Sequence, residues 1–307
     1  MTLGYDRPLY ILPFDHRSSF ERDLFGWHHT LLPEQVNKVI EAKAVIYDGF
    51  KQALSMGVSG DEAGILVDPQ FGASILADAR DNGILTCMPV EKSSQAEFQF
   101  DQGDRYAEAI EEFDPKFVKV LVRYNPEDDE ALNRRQTARL KSLTDYLHAN
   151  GRLFMFELLV PMTLEQSERL ENNKAIYDRE LRPSLMLGAI KELQNSGVEP
   201  DVWKIEGLDF PADCKKIVEA VQRGGRSTVS CILLGRGSTD QKVTAWLRNA
   251  GPVLGFTGFA VGRTSFWDAL VQLRDCKITR EVAVAQIANR YIEWIDVFQS
   301  ARKGVAV

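Results

Sequence analysis

The sequence offers little to metal or thiol chemistry. It has four histidines (His16, His28, His29 and His148) and four cysteines (Cys87, Cys214, Cys231 and Cys276) in 307 residues. Neither set has the spacing of a site: there is no H-E-x-x-H and no C-x-x-C. A zinc hydrolase, a divalent-metal aldolase, a zinc ribbon or a redox dithiol is therefore not indicated. An oxygen-ligated magnesium site on Asp15, Asp68 or Glu91 stays open. Cys87 and Cys231 fall inside apolar runs and read as small buried hydrophobes. The G-x-S-x-G elbow of serine hydrolases is missing. No apolar run nears the roughly 20 residues of a membrane span. The opening MTLGYDRPLYILPFD lacks a basic leader and a small-residue cleavage site, so a cytoplasmic protein with reduced thiols is expected. Excess positive charge is missing too: the net charge is −7 and the isoelectric point about 5.3, which argues against a nucleic-acid binder. No linker rich in Pro, Gly or Ser divides the chain, so one domain is expected.

What is present is an alternation. Eight short apolar runs read as strands: 9–15, 64–68, 84–91, 117–124, 152–160, 201–207, 228–235 and 255–262. Between them lie segments of helical period at 33–55, 71–80, 103–113, 128–149, 181–196, 211–222 and 239–250, with a terminal helix at 279–301. Eight β–α repeats in one chain of this length predict an α/β protein of the (β/α)8 TIM-barrel class. An open doubly wound sheet would bring a glycine-rich turn after its first strand; here that strand runs into PFDHRSS. The connection 161–180 is polar and long, as a surface insertion or a lid would be, and Tyr177 and Arg182 could reach a ligand from it.

Strand side chains alternate between faces. In FVKVLVRY the valines form an outer row, so Lys119 and Arg123 face the lumen. In RLFMFELLV, Glu157 faces inward, and in DVWKIEG, Lys204 and Glu206 do. Asp15 ends the first strand, Glu91 and Lys92 the third, and Arg236 and Arg263 follow the last two. For any single residue a structural ion pair is the commoner explanation. Charges on seven separate strand ends, where barrel active sites are built, point to a site.

The chemistry this set favours is that of an amine. A lysine in a dry pocket beside a second cation loses affinity for its proton and can attack a ketone. Lys119 and Lys204 lie two strands apart, near enough for one to depress the other, and Glu157 on the intervening strand is placed to move protons. GRGS (235–238) and GRTS (262–265) follow the last two strands, where many barrels hold phosphate on backbone N–H groups and a helix N-terminus. Gly235, Arg236, Gly237, Gly262 and Arg263 are the candidate phosphate residues, although helix capping by Ser238 or Thr264 explains part of each motif.

Together PFDHRSSF, FVKVLVRYNP, MFELLVP, DVWKIEG, LLGRGS and GFAVGRTSFW resemble the class I, Schiff-base barrel aldolases related to tagatose-bisphosphate aldolase. More closely they resemble the aldolase-like domain of bacterial inositol catabolism, often fused behind a 5-dehydro-2-deoxygluconokinase. The resemblance implies Lys204 as the Schiff-base lysine, Lys119 as the second active-site lysine, Glu157 for acid–base work, Asp15 as the first-strand aspartate and Arg263 as a phosphate ligand. It implies no metal and no cofactor. Its substrate would be a small phosphosugar, 2-deoxy-5-keto-D-gluconate 6-phosphate, cleaved to dihydroxyacetone phosphate and malonate semialdehyde. In that reaction Glu157 would handle the C4 hydroxyl proton, and Arg123 or His16 would meet the carboxylate end. His16 stands where the tagatose-bisphosphate group has R-G-S type residues, which favours the inositol branch. With the kinase absent, the substrate is expected already phosphorylated. Another Schiff-base aldolase, for a ketohexose bisphosphate or a sulfosugar phosphate, stays open, as does a non-catalytic phosphosugar-binding barrel. A homo-oligomer is suggested by the family alone.

Overall fold

A computed structural model describes residues 3–304. Eight strands close a parallel barrel in sequence order: β1 (Leu9–Pro13), β2 (Ala63–Leu66), β3 (Leu85–Pro89), β4 (Phe117–Arg123), β5 (Leu153–Leu159), β6 (Val202–Glu206), β7 (Ser230–Leu234) and β8 (Phe256–Ala260). The main helices are α1 (Ser18–Phe25), α2 (Pro33–Ser55), α3 (Pro69–Asp81), α4 (Tyr106–Phe113), α5 (Glu130–Ala149), α6 (Leu164–Arg169), α7 (Lys174–Ile176), α8 (Arg182–Asn195), α9 (Pro211–Gln222), α10 (Asp240–Ala250), α11 (Arg263–Arg274) and α12 (Arg280–Lys303). All eight expected strands form, each shorter than the apolar run that announces it, and β2 starts one residue before its run.

The alternation of side chains builds two apolar layers. Lumenal residues such as Leu9, Ile11, Leu66, Cys87, Phe117, Met155, Val202 and Ile232 pack with one another as the inner core. Outward residues such as Val118, Val120, Phe154, Phe156, Trp203 and Ile205 pack against the helices. The N-terminal end of the barrel is shut. Tyr5 lies edge-on to Phe117, with ring centroids 5.1 Å apart. Buried Asp201 accepts from the backbone N–H of Gly4 and of Phe154 at 2.7 and 2.8 Å. Only the C-terminal end is left for a ligand.

Four helices lie where the sequence pattern suggested connections: α1, α6, α7 and α11. The 161–180 stretch is folded. Thr163 and Gln166 form a reciprocal cap on α6, and α7 runs through a π-helical turn (Tyr177–Leu181) into α8. Tyr177 and Arg182 do not reach toward a ligand. The Tyr177 hydroxyl donates to the Val160 carbonyl at 2.9 Å. Arg182, 1% exposed, donates to the Gly207 carbonyl at 2.8 Å and pairs with Asp178 at 3.0 Å. α12 is capped by Thr279, packs along α2 and is tied to β1 by the Tyr291 hydroxyl, which donates to the Tyr10 carbonyl at 2.6 Å. Among the described residues, no helix is long and apolar enough to cross a membrane.

Candidate active site

A cavity of about 750 Å³ opens at the C-terminal ends of the strands. The candidate catalytic and substrate-binding residues all line it: Asp15, His16, Lys119, Arg123, Glu157, Lys204, Gly235, Arg236, Gly237, Gly262 and Arg263. The strand register explains the floor. Glu157 on β5 sits level with Lys204 on β6 and with Leu121 on β4, which puts one carboxylate between two lysines. Glu157 Oε2 lies 2.8 Å from Lys204 Nζ and 3.0 Å from Lys119 Nζ.

The surroundings of Lys119 correct the expectation of a cation-crowded pocket. Its Nζ also contacts Glu91 Oε1 at 2.6 Å and Asp15 Oδ2 at 2.9 Å. Burial alone would push the Lys119 amine down, but Asp15, Glu157 and Glu91 outweigh it and hold the amine well above its ordinary value. Lys119 is thus a fixed ammonium. It fills the space among three carboxylates that a divalent ion would need, and Asp68, the other candidate oxygen ligand, is taken by Lys43. Burial would raise the Asp15 carboxyl, yet Lys119 and Lys204 pull it far below the usual range. Glu157 is likewise lowered, because the same two lysines overcome its burial. Glu91 goes the other way: burial wins over Lys119 and its carboxyl is raised.

His16 is neutral. Burial outweighs the pull of Asp15, and Arg263, Lys204 and Lys43 add to it, lowering the imidazole to about 4. Its Nδ1 is buried without a partner. At neutral pH it can therefore meet a carboxylate as a hydrogen-bond donor but not as a cation. Because the unfolded chain takes up this proton near pH 6.5 and the folded chain only near 4, the histidine's contribution to stability is complete above 6.5 and is lost as the pH falls toward 4. Thermal unfolding followed over that range should show a shallower loss in His16→Phe than in the wild type.

Both arginine loops have owners already. Arg236 pairs with Asp178 at 2.7 Å and Glu206 at 2.9 Å. Arg263 pairs with Asp23 at 2.9 Å and lies over the Trp267 ring, 4.9 Å from its centre. A phosphate here would share or displace these partners. Arg236 and Gly237 both have left-handed backbone, with φ +54° and +62°, uncommon for an arginine. Gly262 is required for another reason: a Cβ there would sit 2.3 Å from the Pro13 carbonyl oxygen. The N-terminus of α11 follows, with no side-chain cap and with Thr264 Oγ1 buried and unpartnered. Arg123 donates to the Gln95 carbonyl at 2.8 Å from the opposite wall.

Sequence reasoning missed Arg17 and left Glu91 as one strand-end charge among several. Arg17, 6% exposed, donates to the Glu91 carbonyl and pairs with Asp101 at 3.2 Å. No periodic signal marks it, because it sits in the turn between β1 and α1. A second cavity, about 470 Å³, lies behind the β7 and β8 loops and shares Gly237, Arg263 and Thr264 with the first. It contains neither lysine.

The sequence model of one family, described as "Uncharacterized protein conserved in bacteria (DUF2090)", matches residues 5–302. No curated protein matches the chain. Among solved structures, a protein of Corynebacterium glutamicum is similar over 95% of this chain and 88% of its own, at 17% identity and a TM-score of 0.55. A Schiff-base-forming fructose-1,6-bisphosphate aldolase is similar over 93% of both chains, at 12% identity and 0.54. A fructose-bisphosphate aldolase from Slackia heliotrinireducens is similar over 92% of this chain and 86% of its own, at 13% identity and 0.54. At these identities the likeness establishes the shared barrel.

Proposed function

The chain belongs to the DUF2090 family of bacterial proteins, and we propose that it is a class I aldolase, cleaving a phosphorylated keto-sugar through an imine on Lys204. One observation carries the reading: Lys204, Glu157 and Lys119 form a contiguous chain on the floor of the only described cavity that holds a lumenal lysine. That aldolases occur among the structures sharing the barrel supports it at the level of fold.

The chemistry follows from these positions. Lys204 Nζ must give up a proton before it attacks, and Glu157 Oε2, at 2.8 Å, is the acceptor. Lys204 then adds to the ketone carbon, water leaves, and an iminium forms. The proton of the hydroxyl two carbons from the iminium carbon passes to a carboxylate as the intervening carbon–carbon bond breaks. That bond's electrons flow to the nitrogen, giving an enamine and a free aldehyde. Glu157 suits proton transfer, because Lys204 and Lys119 keep it ionised. Protonation of the enamine and hydrolysis release the ketone fragment and restore Lys204. Lys119, held charged, polarises oxygens of the substrate and is unsuited to imine formation.

For the substrate we favour the resemblance's 2-deoxy-5-keto-D-gluconate 6-phosphate. Counting carbons, the ketone is C5 and the broken bond C3–C4, so the hydroxyl that loses its proton is on C3 rather than C4. The β7 and β8 loops, with the uncapped end of α11, would hold the phosphate, and Arg123 the C1 carboxylate. Glu157→Gln should lower kcat by about 10²- to 10⁴-fold, with Lys204 still trappable by borohydride on long incubation. The function itself is tested with a panel of phosphorylated keto-sugars assayed for triose-phosphate release with and without EDTA. Release abolished by EDTA would sink the amine mechanism. Binding without cleavage would make the protein a phosphosugar-binding barrel.

A further inference from the structure

Among the described residues, Glu91 is the carboxylate of the Lys119 cluster whose second oxygen is both buried and without a partner. Its Oε1 lies 2.6 Å from Lys119 Nζ. Its Oε2 is buried, has no hydrogen-bond partner, and belongs to a residue that is 6% exposed and lines the cavity. A buried, unpaired carboxylate oxygen is destabilising, so its place in the cavity wall calls for a ligand.

The side chain is held for such a task. The Val90 N–H donates to the Lys119 carbonyl at 3.0 Å, the Asp101 N–H to the Val90 carbonyl at 2.9 Å, and the Lys92 N–H to the Gln99 carbonyl at 2.9 Å. Glu91 forms an antiparallel bridge with Phe100, and Arg17 holds its carbonyl. The backbone on both sides is thus pinned, and the residue stands in the cavity wall. Near it, Gln95 Oε1 is a second buried oxygen without a partner. Acceptors therefore face the cavity from the β3 side, while the arginines and the α11 N-terminus stand across it at β7 and β8.

Resting on the aldolase reading, we propose that Glu91 forms a hydroxyl-binding subsite: its Oε2 binds the hydroxyl on the carbon that flanks the ketone on the side away from the phosphate. The substrate class is narrowed accordingly to keto-sugars hydroxylated beside the carbonyl. Such a hydroxyl donates to Glu91 while its ketone carbon meets Lys204, with Lys119 between the two.

The test pairs dihydroxyacetone phosphate with acetol phosphate, which lacks only that hydroxyl. Calorimetry gives the affinity of each for wild type, Glu91→Gln and Glu91→Ala. Wild type should prefer dihydroxyacetone phosphate by about 10-fold or more, the worth of one hydrogen bond to a charged group. The preference should fall several-fold in Glu91→Gln and nearly vanish in Glu91→Ala. An equal preference in all three proteins, or none in the wild type, overturns the subsite. If Glu91→Ala fails to fold, Glu91→Gln, which keeps the shape, decides alone. Borohydride trapping is run in parallel: absence of an adduct on wild-type Lys204 would overturn the aldolase reading, and the binding ratios would still decide on Glu91.

Discussion

Replacing Lys204 by alanine or methionine is expected to abolish cleavage, on the order of 10⁴-fold or more, because the residue would be the nucleophile and nothing else in the cavity can replace it. Borohydride reduction in the presence of dihydroxyacetone phosphate should add mass to the Lys204 peptide in the wild type and to no peptide in the variant. The fold should survive. Glu157, the sole ion-pair partner of Lys204 among the described residues, keeps Lys119 at 3.0 Å, so no carboxylate is stranded. Lys119→Met is the control for the opposite case. It removes the ammonium that holds Asp15, Glu91 and Glu157 together, so it should lower both activity and melting temperature. An adduct that persisted in Lys204→Ala, or that formed on Lys119, would reverse the two roles and overturn the proposed mechanism.

The asymmetry between the two lysines was half legible in the sequence. Period-2 alternation in FVKVLVRY, RLFMFELLV and DVWKIEG places Lys119, Glu157 and Lys204 on the lumenal face, because their neighbours form unbroken apolar outer rows. Alternation says which face a side chain takes, and nothing of what meets it there. Asp15 and Glu91 reach Lys119 from turns after β1 and β3, 104 and 28 residues away in sequence, and only barrel closure brings them in. The same limit applies to Arg236. Its GRGS context is visible locally, but its partner Asp178 belongs to an insertion 58 residues earlier. Helix α11 was more accessible: Phe266, Ala269 and Leu270 are its buried residues at helical spacing, and the glycine-rich start of that segment disguised them as loop.

Removing Lys43 should be the most damaging single change to the fold outside the cavity. Lys43 and Asp68 are both fully buried and paired. Lys43 also donates to the carbonyls of Phe14 and His16 at 2.9 and 3.0 Å, so α2 pins the carbonyls of the two residues that flank Asp15. Asp68 in turn caps α3 by accepting from the Phe71 N–H at 2.9 Å. Lys43→Ala leaves a carboxylate and two carbonyls in an apolar wall without their donor. Breaking such a pair from one side costs about 3–5 kcal/mol, which a chain of this size should register as a drop of roughly 5–8 °C in melting temperature. Activity should fall as well, because the loop that aims Asp15 at Lys119 is released. Lys43→Met combined with Asp68→Asn keeps a cap on α3 and buries no lone charge, so it should recover much of the stability. It should recover less of the activity, since the Phe14 and His16 carbonyls remain without their donor. Equal rescue of both would show that the Asp15 loop is fixed by other contacts, and an unchanged melting temperature in Lys43→Ala would remove the pair from the account of the fold.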